Sequence, residues 1–227
     1  SHLSYYSASR IAEKKGINFP KPKMVDICLD KSKLYPFFEQ HNIPAPRTKL
    51  ISDLKSLNLN LNLNKNYYLK SDYGKSPKYC YYIKNGLIPS LPKKYDDFFR
   101  KYFLLQEEFI GTHFRLNLLG EKNFIFLKES NETCIPKNSM GKNNQKIINS
   151  LKKVLITMGF QNRLVKFDVI VNNQDWSVID IGLDPPKRLE TLMKYHGIDF
   201  ASAYTFLWTT GSAKEFIDWN NFLLSSV

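Results

Sequence analysis

The sequence predicts an α+β protein with mostly antiparallel strands, and three observations carry that expectation. The apolar pattern changes period along the chain, from dense strand-like runs between residues 102 and 130 to a stripe at helical spacing between 143 and 158. The strand-like runs are joined by short polar connections, "GEKN" at 120–123 and "NNQD" at 172–175, which suit hairpins. Helical and strand segments do not alternate as repeated βα units, so a doubly wound parallel sheet is disfavoured. With 227 residues, 43% of them hydrophobic, the chain can form one large domain or two smaller lobes around real cores. Recurrent Phe, Tyr, Leu and Ile exclude a wholly disordered chain.

Taken in order, "SASRIAEKKG" suits a short helix near the N-terminus. "CLDKSKLYPFFEQHNIPAPRT" reads as a turn, a helix capped by Asp30 that buries Leu34, Phe37 and Phe38, and an exit enforced by the prolines of "NIPAP". Pro36 then sits early in that helix or kinks it. Leu57 to Asn64 alternate Leu with Asn, which fits either a half-buried strand or a low-complexity spacer, because Asn is a poor strand former. Strands are expected at "NYYLK" and "KYCYYI", with "SDYGKSP" as the turn between them.

A short helix is expected at 96–101, followed by the strands "YFLLQEEFIG", "FRLNLLG" and "NFIFLKES". Ile147, Ile148, Leu151, Val154, Leu155 and Met158 form one apolar stripe, with Lys146, Lys152 and Lys153 off it, so Asn143 to Met158 is an amphipathic helix. "NRLVKFDVIVNNQDWSVIDI" gives two strands, residues 187–196 a helix, and "SAKEFIDWNNFLLSS" a terminal helix capped by Ser212.

The formal net charge of +12 attracts nucleic acid, anionic membrane, nucleotides or an acidic substrate without choosing among them, and also fits a solvated lysine-rich surface. Cys28, Cys80 and Cys134 are odd in number, far apart and lack CxxC spacing, so neither a disulfide framework nor a zinc site is expected. With no apolar run of about 20 residues and no signal-like start, a cytoplasmic protein in a reducing compartment is expected, with no membrane partner. The opening "SHL" and the unusual start raise the expectation of a piece cut from a longer chain.

Two acids stand at the ends of the last core strands, Asp168 after Phe167 and Asp180 after Ile179. If the turn near Asn173 makes a hairpin, both project toward one cavity and offer hard oxygens to Mg²⁺ or Mn²⁺. The competing reading places them at strand edges, exposed or paired with Lys and Arg. Asp184 is a third oxygen donor or orders the turn before Pro185 and Pro186. Lys70 ends a strand before a glycine turn and Lys31 begins a helix, positions that suit phosphate contacts or ordinary surface charge.

These segments, in this order, resemble the ATP-grasp superfamily of carboxylate-amine and carboxylate-thiol ligases. "DKSKLYPFFEQHNIPAPRT" is similar to its opening helix, "YYLKSDYGKSP" to its lysine strand and phosphate loop, and "FLLQEEFIGTHFRL" to its hinge strand. "FDVI" and "WSVIDIGLDPP" resemble its two metal-binding strands. The resemblance spans about Asp30 to Pro186. It implies two lobes with mostly antiparallel sheets enclosing a nucleotide cleft, with residues 1–29 as linker or remnant, 30–102 as first lobe and 103–227 as second.

It further implies ATP and Mg²⁺ (or Mn²⁺) as cofactors. Lys31 and Lys70 would meet the phosphates, and Ser71 to Pro77, with Gly74 and Ser76, would cover them. Glu107, Glu108, Phe109 and Ile110 would line the adenine cleft, with His113 near the ribose. Arg115 would act with Lys70 in catalysis, and Asp168, Asp180 and Asp184 would bind metal. Arg163, Lys166, Lys187 and Arg188 are candidates for holding substrate carboxylates, or ordinary surface cations. The implied reaction is an ADP-forming ligation in which an acylphosphate is attacked by an amine.

The chain departs from the pattern at three places. Gly182 stands where Asn is usual in the last strand, Asp180 is shorter than the usual Glu, and His113 replaces an acid. The usual preceding substrate domain is too large for the segment before Asp30, so a missing domain or a partner chain is implied. A nucleotide-binding module without independent catalysis is therefore an alternative, and so is a basic nucleic-acid-binding protein, which the dispersed lysines disfavour. The substrate expected is a small acidic molecule or peptide.

Overall fold

The computed structural model describes residues 2–17, 19–52, 57, 61–72, 80–89, 103–119, 122–127, 144–161, 163–183, 187–195 and 197–210. Two compact units divide the chain, one comprising Ser1–Ile17 and Pro22–Ile110, the other Asn18–Lys21 and Gly111–Val227.

The first unit opens with helices α1 (His2–Lys15), α2 (Pro22–Leu29) and α3 (Lys31–Gln40). The segment expected as a linker or remnant thus carries two helices, and α2 buries Val25, Ile27, Cys28 and Leu29. In α3 the Asp30 side chain accepts the Ser32 amide at 2.9 Å, satisfying one of the donors that a helix start leaves unpaired. Leu34, Tyr35, Phe37 and Phe38 make the buried face of this helix, which accommodates Pro36 within it.

Strands β1 (Thr48–Ile51), β2 (Tyr67–Ser71), β3 (Cys80–Ile83) and β4 (Phe103–Glu107) form an antiparallel sheet in the order β1-β4-β2-β3. The boundary at 102 therefore moves, because β4 pairs on both sides within this sheet and the division falls after Ile110. Alternation along the strands gives the sheet two unlike faces. Ile51, Tyr67, Leu69, Ile83, Phe103 and Leu105 point into one core together with Leu57. Leu57 is fully buried whereas Leu63 is exposed, and none of the described residues of the Leu-Asn segment, 57 and 61–64, is in a strand.

In the second unit, β5 (Thr112–Leu119), β6 (Lys122–Leu127), β7 (Leu164–Val171) and β8 (Trp176–Gly182) form an antiparallel sheet in the order β6-β5-β7-β8. Both expected hairpins are present. Phe114, Leu116, Leu118, Val165, Phe167, Val169, Val178 and Ile181 make one buried apolar face. Helix α4 (Asn144–Met158) buries all six stripe residues, each burial contributing about 2 kcal/mol relative to exposure. It ends at Gly159, whose φ of +71° is open to glycine at no steric cost, and the Phe160 amide donates back to the Leu155 carbonyl at 2.7 Å.

Helices α5 (Lys187–Tyr195) and α6 (Phe200–Thr210) follow. The first matches its expectation, and the second was not foreseen. The short helix at 96–101, Cys134 and the terminal helix at 212–226 lie outside the described residues. Among the described residues, no helix is long and apolar enough to cross a membrane.

Candidate functional site

The polar face of the first sheet is built by the register of β1, β4, β2 and β3. Thr48, Gln106, Tyr68 and Tyr82 are successive cross-strand partners, and partners share a face. Lys70 lies two residues along from Tyr68, on the same side. Its ammonium donates to Gln106 Oε1 at 2.6 Å and stands 5.4 Å from the Tyr68 ring centroid. Gln106 in turn donates through Nε2 to Thr48 Oγ1 at 3.0 Å. This relay orients the lysine through a neutral amide.

Glu107 and Glu108 divide between the two sides. Glu108 belongs with Lys70 and Tyr68, where its Oε2 accepts from Asn66 at 2.7 Å and from the Tyr82 hydroxyl at 3.2 Å. Burial first, and then the Glu108 carboxylate, pushes the Tyr68 hydroxyl above its ordinary value. Glu107 pairs in register with Tyr67 and makes an ion pair with Lys65 at 2.8 Å. Phe109 is half-buried and Ile110 exposed, both beyond the end of β4.

Lys31 opens α3 and its amide donates to the Asp72 carbonyl at 2.8 Å, which ties the helix start to the end of the lysine strand. Ser71 closes β2 and is buried. Gly74 and Ser76, within the expected phosphate loop, lie outside the described residues.

On the second sheet, Arg115, Asp168 and Asp180 are consecutive cross-strand partners on β5, β7 and β8, so the hairpin does bring the two acids to one face. The register shifts just after Asp168, where Val169 partners Val178 and Ile179 becomes the extra residue of a bulge. Arg115 grips Asp168 with both arms, Nε to Oδ1 at 2.8 Å and Nη2 to Oδ2 at 3.2 Å. Such a fork-to-fork pair fixes both side chains and neutralises the carboxylate. The Asp168 side chain is only 10% exposed and that of Arg115 31%, so the pair is largely shielded from water.

His113, half-buried, partners Ile170 two residues before Arg115 on this same face. A second polar row flanks the first: Asn117, Lys166 and Gly182 are cross-strand partners. Arg163, expected as a substrate cation, is instead buried just before β7, with its guanidinium 5.7 Å from the Phe19 ring centroid. Lys187 and Arg188 lie in the first turn of α5, and Asp184 is outside the described residues.

Gln106, Thr48 and Asn117 were not singled out from the sequence. Their signal is positional, because each acquires meaning only once its strand neighbours are known. Among the described residues no group of three or more His, Cys, Asp and Glu able to hold a metal occurs, both oxygens of Asp168 are engaged by Arg115, and Gly182 offers no donor; Asp184, the third expected ligand, lies outside those residues. Lys70 on the first sheet, and Arg115 and Lys166 on the second, are the cations of these polar rows.

No family model matches the sequence, and no curated protein does. Solved structures do. The chain is similar to D-alanine-D-alanine ligase from Helicobacter pylori, with a TM-score of 0.65 and 16% identity over 89% of this chain and 65% of that one. It is similar to the biotin carboxylase domain of 2-oxoglutarate carboxylase from Hydrogenobacter thermophilus, solved with ADP and magnesium, with a TM-score of 0.64 and 14% identity over 90% of this chain and 51% of that one. It is also similar to a RimK domain ATP-grasp protein from Sphaerobacter thermophilus, with a TM-score of 0.62 and 12% identity over 82% and 71%. The chain therefore spans about two thirds of the ligase and half of the carboxylase domain. Two antiparallel sheets in their observed orders, and this likeness, identify the fold of the chain as the ATP-grasp fold.

Proposed function

We propose that this chain binds ATP and belongs to an ADP-forming ligase that activates a carboxylate for attack by an amine. The observation that carries the reading is the Arg115–Asp168–Asp180 row, a cation and two acids in register on one sheet of an ATP-grasp fold. In this reaction the substrate carboxylate oxygen attacks the γ-phosphorus, the bond to the β-phosphate oxygen breaks, and ADP leaves. The amine then attacks the acylphosphate carbonyl and expels phosphate, losing a proton. ATP arrives as its magnesium complex.

Lys70 and Arg115 supply fixed positive charge for the negative charge that develops on the transferring phosphoryl group. Gln106 holds the Lys70 ammonium and Asp168 holds the Arg115 guanidinium, so neither must reorganise during reaction. The basic chain suits an acidic small molecule or peptide. The test is ADP release from ATP with mixtures of amino acids and short acidic peptides as acceptors. The reading predicts acceptor-dependent ADP release that disappears in Asp168→Ala; release that persists in the variant rejects the role of this row.

A second reading, a nucleotide-binding module without turnover of its own, is favoured by Gly182, which carries no donor in the last strand. It predicts calorimetrically detectable ATP binding with no ADP release under any acceptor mixture.

A further inference from the structure

Two rows lie side by side on the polar face of the second sheet, Arg115–Asp168–Asp180 and Asn117–Lys166–Gly182. The first row carries one positive and two negative side chains. The second carries an amide, an ammonium and a glycine, so the two rows together hold two positive and two negative charges. A divalent ion is retained by hard oxygens in excess of the cations around them, and these two rows provide no such excess.

The glycine is what admits the lysine. A Cβ at residue 182 would stand 2.1 Å from Lys166 Cε, 2.8 Å from Cγ and 3.0 Å from Cδ, so the lysine stem occupies the space that a side chain at 182 would need. Its stem is thereby laid against β8 at Gly182, two residues from Asp180 and on the same face. Asn117, the third member of the row, is completely buried, and neither atom of its carboxamide has a hydrogen-bond partner. Buried amides are rarely left in that state, so this row is suited to receive a polar group from a ligand.

We propose that Lys166, laid over Gly182, is a built-in cation that replaces a protein-held divalent ion, so that the nucleotide's phosphates meet an ammonium and the sole divalent ion bound is the one the nucleotide brings. The proposal rests on the ATP-binding reading above. It explains together why the last strand has no donor at 182 and why a lysine stands across from it.

The test is titration calorimetry with a non-hydrolysable ATP analogue, in excess Mg²⁺ and again in EDTA, joined to Mn²⁺ counting by electron paramagnetic resonance. Wild-type protein is expected to bind the metal-free analogue measurably and to retain no more than one Mn²⁺ per bound nucleotide. Lys166→Met, which keeps the stem and removes the charge, should weaken metal-free binding on the order of tenfold. Lys166→Arg should stay near wild type, and Gly182→Ser, which displaces the stem, should weaken binding in the same direction as Lys166→Met. Two or more Mn²⁺ per nucleotide in the wild type, or unchanged metal-free binding in Lys166→Met, overturns the proposal while leaving the ATP-binding reading intact. Failure of wild-type protein to bind the analogue with or without Mg²⁺ overturns both.

Discussion

The two sheets of this chain share a design and differ in how they treat charge. Each has one apolar face and one polar face, and each polar face holds a cation through a side chain of a neighbouring strand. In the first sheet Lys70 is held by the neutral carboxamide of Gln106 at 2.6 Å. In the second Arg115 is held by the carboxylate of Asp168 at 2.8 and 3.2 Å. The first bond orients a charge without cancelling it, whereas the second orients and cancels it together. The same alternation of strands thus produces a face whose cation is directed by a neutral dipole, and another whose cation is directed by a carboxylate.

Breaking the ion pair on one side gives the largest expected effect. Asp168→Ala leaves the Arg115 guanidinium partly buried beside a vacated carboxylate, and should cost about 3 kcal/mol of stability in urea denaturation. The double variant Asp168→Ala with Arg115→Met should recover much of that loss, because the unmatched charge goes with it. A double variant no more stable than the single one would show that packing, not charge, holds the row.

A smaller effect is expected at a helix start in the first unit. Asp30→Ala removes the acceptor for the Ser32 amide and should cost about 1 kcal/mol, read from the same denaturation curves, whereas Asp30→Asn should cost little. Equal losses in the two variants would mean that the charge of Asp30, rather than its cap, is what matters.

The smallest effect sharpens the electrostatic contrast itself. Tyr68 on the first polar face faces Glu108, Tyr82 and Cys80, with Lys70 near its ring, and its hydroxyl titrates above the usual value of about 10. The folded protein therefore holds this proton more tightly than the unfolded chain. The stability it contributes is whole below the ordinary tyrosine value and is lost as pH rises through the higher folded value. Denaturation series between about pH 9 and 12 should lose less stability in Tyr68→Phe than in wild type, and parallel curves would contradict this assignment.

Much of this molecule was legible in its sequence where the determining contacts are local. The α4 stripe reports burial because residues three and four apart share a helix face, and all six positions are buried. The "NNQD" turn shows that β7 and β8 form a hairpin, but it is the bulge at Ile179, which no local signal announces, that places Asp168 opposite Asp180. What escaped depends on distant partners. Strand β1 is only four residues long and owes its place to pairing with β4, more than fifty residues away in sequence. Gln106 becomes a tether for Lys70 only because β4 inserts between β1 and β2. Gly182 reads in the sequence as a missing ligand, and only the path of the Lys166 stem turns that absence into room for another charge. Helix α2 escaped because eight residues opening on proline carry little periodic signal.

The proposed ATP binding is tested most directly by calorimetric titration of the nucleotide into wild type, Lys70→Met and Arg115→Met. The proposal predicts 1:1 binding to the wild type, weakened on the order of tenfold or more by either substitution. Unaltered affinity in either variant, or no nucleotide binding to folded wild-type protein, would contradict it.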